Sequence, residues 1–267
     1  MISIITWEIK QRKNYLFWWA LSIVSIIATL LLVYPSIHSQ ADQLNKVLNQ
    51  LPAALRDLKT GGNQVDITSP VGYLNSQLFY ATLPFMQIIM AIGLGSSLLA
   101  RDEQNHTLEL LLARPISRGK LLAAKALSGL SLMLIVSVIG AITTIILAKL
   151  VNLQIATVYI LAASLYTMLF SISFGAIAFT LSAASNSTRR ASMGVAVALS
   201  FGGYLLASLS GMSHYIETPA KLLPYHYFNP AQILVGHVAV GLNVYLLTTA
   251  FAAVLISWLG FRRRDIN

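Results

Sequence analysis

The stretch Ala100–Leu127, ARDEQNHTLELLLARPISRGKLLAAKAL, sets a short charged segment and a tight turn between two long apolar runs. Leu108, Leu111 and Leu112 share one helical face, while Asp102, Glu103, His106, Glu109 and Arg114 supply charge around them. Pro115 stops that helix, and Ser117 is placed to cap a second one that starts at Arg118, Gly119 and Lys120 and runs into apolar sequence. A solvated tether has no need of those leucines, which require a protein or lipid surface to cover them. The pattern predicts a docking helix within 101–120, carried on a membrane protein.

The composition around it supports a bilayer setting. Of 267 residues, 56% are hydrophobic and only 10% charged, against roughly a quarter charged in an ordinary soluble domain. Six runs are long enough to cross a hydrocarbon core of about 30 Å as helices: Leu16–Ile37, Phe79–Ala100, Leu121–Leu147, Ile155–Ala183, Ala191–Met212 and Leu242–Phe261. No polar segment between them is long enough for a separate core, so 1–267 reads as one all-α membrane domain with both termini on the same side. The first run follows Glu8, Lys10, Arg12 and Lys13 and lacks a small-residue cleavage pattern, so it reads as a retained span.

The basic residues orient the set. Lys10, Arg12, Lys13, Arg101, Arg114, Arg118, Lys120, Lys125, Arg189, Arg190, Arg262, Arg263 and Arg264 lie on one side, and Lys46, Arg56, Lys59, Lys149 and Lys221 on the other. By the positive-inside rule the first side, with both termini, is cytoplasmic. The net charge of +9 is thereby assigned to topology and anionic headgroups, and nucleic acid is not an expected partner.

Outside the spans, Ile2, Ile5 and Ile9 fall on one face of 2–13 with Glu8, Arg12 and Lys13 elsewhere, which predicts an interfacial helix; the alternative is a frayed tail. In the outer loop 38–78, leucines at helical spacing predict an amphipathic pair of helices broken near Pro52. The outer loop 213–241 carries Leu223–Pro224–Tyr225–His226–Tyr227–Phe228–Asn229–Pro230 and then an apolar stretch, Ala231–Val240, that is too short to span. A re-entrant or interfacial segment fits, provided its irregular backbone is buried against protein or water. In the fifth run Gly194, Ala198 and Gly202 form a ridge of small residues, either a homodimer or heterodimer seam or packing inside one bundle.

The chemistry-bearing residues exclude several functions. No Asp, Glu, Lys, Arg or His lies inside the six runs away from their ends, where Ser, Thr, Tyr, Gln87 and Met stand instead, so a proton relay or an intramembrane hydrolase lacks the groups it generally needs. There is no G-x-x-x-x-G-K-[ST] nucleotide loop. With no cysteine and five scattered histidines, no metal set suggests itself, and no nucleophile elbow is present. The expectation is a non-enzymatic transport subunit with no cofactor of its own, and the rival is an energy-independent channel, immunity or scaffold protein.

The run D-E-x-x-x-x-T-L-E-L-L-L-A-R-P-I-S-R-x-x-L-L-x-x-K, Asp102 to Lys125, resembles the cytoplasmic signature of ABC-2 type permeases, the membrane subunits of one class of ABC exporters. Leu223–Pro230 and the six-span layout also resemble that family. The resemblance implies an exporter in a prokaryotic inner membrane: two six-span permeases, identical or paralogous, bound to two ATPase subunits that hold ATP and Mg. It implies that the coupling helix between the second and third spans seats in a groove of the ATPase. Glu103, Thr107, Glu109, Arg114 and Arg118 would form or support that contact, with Asp102 and His106 beside them; Asn105–His106 departs from many relatives.

Overall fold

A computed structural model describes residues 2–40, 66–104, 117–184, 189–210 and 214–263. Among these residues there is no strand, and six helices are long and apolar enough to cross a membrane: Lys13–Ser39, Pro70–Ser97, Arg118–Leu150, Thr157–Ala184, Arg190–Leu209 and Val240–Arg262. They are the first to sixth spans below. The molecule is a multi-pass membrane protein whose outward faces are apolar: Leu247, Phe251 and Val254 of the sixth span recur at helical spacing and are each 71% exposed.

The second span starts nine residues earlier than its apolar run suggests, at Pro70 instead of Phe79. The signal is a capping turn. Thr68 donates from its backbone N–H and its hydroxyl to Asp66 Oδ1 at 2.9 and 2.7 Å, and the Ser69 hydroxyl accepts from Gly72 N at 3.0 Å with Pro70 in the first turn. The helix then widens into a π-helical stretch, Leu74–Phe79, before resuming as Thr82–Ser97. In the first span Pro35 withholds an N–H from the carbonyl four residues back, and the Tyr73 hydroxyl donates to the adjacent Leu30 carbonyl.

The second and fourth spans form the centre of the bundle, where their backbones nearly touch. A Cβ on Gly95 would lie 2.1 Å from the Gly175 carbonyl oxygen, and one on Gly175 would lie 2.8 Å from the Ala91 carbonyl oxygen. Only glycine permits that approach. Buried hydroxyls along the third and fourth spans bond their own helices: Ser128 donates to Ala124 O, Thr144 to Gly140 O, Ser164 to Ile160 O and Thr167 to Ala163 O, all at 2.7–2.8 Å. Their hydrogen-bonding capacity is thus absorbed locally.

The 213–241 loop does turn back into the bundle. The Asn229 side chain caps the short helix Pro230–Ile233 by accepting from Gln232 N at 3.2 Å. Phe228 stacks on Phe170 of the fourth span with centroids 4.2 Å apart, and Tyr225 meets Phe170 edge-on at 4.8 Å and Tyr204 of the fifth span at 5.6 Å. Pro224, Tyr225, Phe228, Ile233 and Leu234 are buried against the bundle, whereas Val235, Gly236 and His237 are exposed. It does not continue as one apolar helix to Val240, because Gly236 adopts a φ of +91° and breaks it. The helices expected in the first outer loop fall on 41–65, outside the described residues.

Gly95→Val is expected to cost at least about 1–3 kcal/mol of stability through overpacking. Gly194→Ala, where an added Cβ has nothing within 4 Å, should stay within about 1 kcal/mol of the parent. Thermal unfolding of the detergent-solubilised chain, read by tryptophan fluorescence, checks the contrast.

Candidate functional site

The N-terminal helix Ile2–Gln11 is present, but its charges do not face away from the bundle as the sequence suggested. Glu8 is 2% exposed and Arg12 is 8% exposed. One turn apart on a helix, they stand on the same face, and Arg12 Nε donates to Glu8 Oε2 at 3.1 Å. Arg12 Nη1 also donates to Ser97 Oγ at 3.1 Å, at the end of the second span. Lys13, by contrast, is exposed.

The pair is completed from the third span. Ser117 caps that helix by accepting from Lys120 N at 3.4 Å, as its position before Arg118 predicted. Two turns farther in, Lys125 has no exposed surface, and its ammonium forms ion pairs with both Glu8 and Asp102. The Trp7 ring lies over the same ammonium, 5.7 Å from Nζ to centroid. Two carboxylates and two cations therefore close a neutral, buried cluster that ties three elements together: the N-terminal helix, the short helix Ala100–Gln104 after the second span, and the start of the third span.

The sequence pattern predicts Asp102 on a surface presented to a partner. It is 5% exposed and turned inward to Lys125, because a fully buried ammonium needs opposite charge beside it. Arg118 is exposed at the start of the third span, where a docking role would need it. The Glu103 side chain and all of His106, Thr107, Glu109 and Arg114 lie outside the described residues. Of the small-residue ridge, Gly194 and Ala198 are exposed and Gly202 half-buried, and a Cβ on either glycine would meet nothing within 4 Å. The ridge is not a packing seam within the described part of this bundle.

Glu8, Arg12, Ser97 and Lys125 are site residues that sequence reasoning missed or counted differently. Arg12 and Lys125 were placed among headgroup-facing cations and are instead paired internally. The available signal was a lone acidic residue four positions before an arginine, and a lysine inside LLAAKAL.

Among the described residues no group of three metal-ligating side chains converges. What the geometry offers is a rigid, charge-locked root from which the 105–116 segment departs and to which it returns. Residues 2–261 match the model of a family described as ABC-2 family transporter protein. The chain belongs to the ABC-2 transporter family. As an ABC-2 permease it is a membrane transport component and not itself a catalyst. No curated protein matches the chain.

In this ABC-2 permease, Lys125→Met leaves Glu8 and Asp102 buried with one cation between them, at an expected cost of about 3–5 kcal/mol. Adding Asp102→Asn should recover part of that loss, since it removes one uncompensated carboxylate. Thermal unfolding of the single and double variants in one detergent supplies the comparison, and a double variant less stable than Lys125→Met would contradict it.

Proposed function

We propose that this permease belongs to an exporter driven by a separate ATPase that grips the 101–120 segment. Family membership supplies the partner class, since ABC-2 permeases work with an ABC ATPase. The observation that carries the coupling scheme is the buried Glu8–Arg12–Asp102–Lys125 cluster, which fastens both ends of that segment to the membrane bundle.

A docked helix can drive transport only if its movement reaches the spans. Here Asp102 stands before the segment and Arg118 after it, with Lys125 two turns farther on. The Lys125 pairs with Glu8 and Asp102 cannot stretch without leaving charge uncompensated in a low-dielectric site. Displacement of the segment is therefore handed to the third span and the N-terminal helix together. The ATPase must bind the two permease states with different affinity, and nucleotide-dependent closure supplies that difference.

In this scheme Glu103, Thr107, Glu109, Arg114 and Arg118 make or support the ATPase contact, with His106 beside them. ATP and Mg are held by the ATPase, in keeping with the lack of a nucleotide loop in this sequence. The basic end of the bundle faces the cytoplasm of a prokaryotic cell, with both termini there. The open Gly194–Ala198–Gly202 ridge of the fifth span faces a second permease, an identical copy or a paralogue.

Glu103→Lys with Glu109→Lys is expected to abolish co-purification of the ATPase and ATP-dependent transport in vesicles while leaving the chain folded. Retention of both would overturn the docking scheme. Because the sequence contains no cysteine, Ala198→Cys provides a single reactive site. Oxidation should join two copies through a disulfide between the introduced cysteines if the complex is a homodimer packed on this ridge, and absence of that crosslink in the intact complex would count against a homodimer seam there.

A further inference from the structure

Two hollows meet at the terminus-bearing end of the bundle. The larger, about 510 Å³, lies between the third, fourth and sixth spans against the second. Its walls are apolar and unusually small: Gly95 and Ala91 from the second span, Ala126 and Gly129 from the third, Ala250 and Ala253 from the sixth. It extends along the third span from Gly119 to Met133, roughly 21 Å at 1.5 Å rise per residue. That depth exceeds one leaflet's share of a hydrocarbon core of about 30 Å.

The smaller hollow, about 290 Å³, opens where the larger one ends and shares Gly119, Leu122 and Trp258 with it. It differs in chemistry. Ser117, Arg118 and Arg262 line it, and no acidic side chain among the described residues does. The Arg262 guanidinium stands over the Trp258 ring, 5.5 Å from its centroid, which holds the cation at the mouth. The third span begins here too, so the positive end of its helix dipole adds to the field. An apolar cavity of this kind stays dry when empty, and a cationic mouth selects what fills it.

We propose that the composite hollow binds one anionic glycerophospholipid, an acyl chain lying along the third span and the phosphate between Arg118 and Arg262. The occupant is a lipid and not a soluble anion, because the arginine-lined part opens directly onto an apolar slot that a free phosphate leaves unfilled. Trp258 sits at the junction of the two parts, where an indole matches the boundary between acyl chain and headgroup. The site goes beyond the ATPase-docking scheme and does not depend on it. Arg118 belongs to both, whereas Arg262 lies outside the docking set, so the Arg262 variant separates them.

Native mass spectrometry of the full-length chain, delipidated and titrated with phosphatidylglycerol or phosphatidylcholine of identical acyl chains, tests the proposal. Phosphatidylglycerol should be retained preferentially. Arg262→Gln and Arg118→Gln should each lower its retention about fivefold, the worth of one basic residue at an anionic lipid surface. Ala123→Phe, which projects a ring into the apolar part, should lower retention of both lipids. Wild-type binding should persist in millimolar inorganic phosphate. Equal retention of the two lipids, displacement by phosphate, or an Ala123→Phe variant that binds as wild type would each overturn the proposal. The wild-type lipid comparison and the phosphate competition stand even if an arginine variant fails to fold.

Discussion

Lys125 has no surface open to solvent, and a cation buried that way is compensated only where carboxylates come to it. Glu8 and Asp102 do so from two directions, and Arg12 returns the cluster to neutrality. Each partner is fixed by the others, since removing any one leaves a charge buried and uncompensated. The N-terminal helix is consequently not free to roll on a membrane surface. The same four side chains tie the short helix Ala100–Gln104 to the N-terminal helix and to the start of the third span.

At the opposite end the contacts among the described residues are chiefly aromatic. Tyr225 and Phe228 bring the re-entrant loop against Phe170, and Tyr80 and Tyr204 close over it, with the Tyr80 hydroxyl 2.8 Å from Ser208 Oγ. Between the ends, glycine contacts bring the second and fourth spans together, and hydroxyls bond their own helices. The middle of the bundle carries tyrosines and hydroxyls but no carboxylate, lysine, arginine or histidine. In the proposed scheme movement enters at the charge-locked end.

The six spans were legible because length and hydropathy alone identify helices that a bilayer accepts, and the Ser117 cap followed from one side chain's position. The re-entrant loop was legible because Ala231–Val240 is too short to cross and two prolines interrupt the sequence before it. The charge cluster was not. Glu8 and Lys125 are 117 positions apart, and each alone resembles a solvated charge near a helix end. The early start of the second span escaped hydropathy because the decisive signal is a polar capping turn at Asp66–Ser69. Small residues were ambiguous in the same way: a Cβ on Gly194 or Gly202 meets nothing within 4 Å in this chain, while Gly95 and Gly175 bring the second and fourth spans into close contact. Spacing along one helix does not say which helix faces it.

The sixth span is held to its neighbours near both ends and lines the apolar hollow between them. At the terminus-bearing end a Cβ on Gly260 would lie 2.5 Å from Ala184 Cα, and Ser257 Oγ donates to Thr180 Oγ1 at 3.1 Å. At the other end Tyr166 donates its hydroxyl to Asn243 Oδ1 at 3.0 Å, and Gly241 lies against the Tyr227 ring. Between these anchors the sixth span still touches the fourth, where Thr180 Oγ1 donates to the Ala253 carbonyl at 3.4 Å, and its small residues Ala250 and Ala253 line the apolar hollow. A soluble protein would lose stability to such a void in proportion to its volume. In a bilayer, lipid chains are the solvent, and a slot open toward them is filled from the solvent itself. Replacing those alanines with larger side chains would seal the bundle, and keeping them small leaves space at the boundary where the arginines stand.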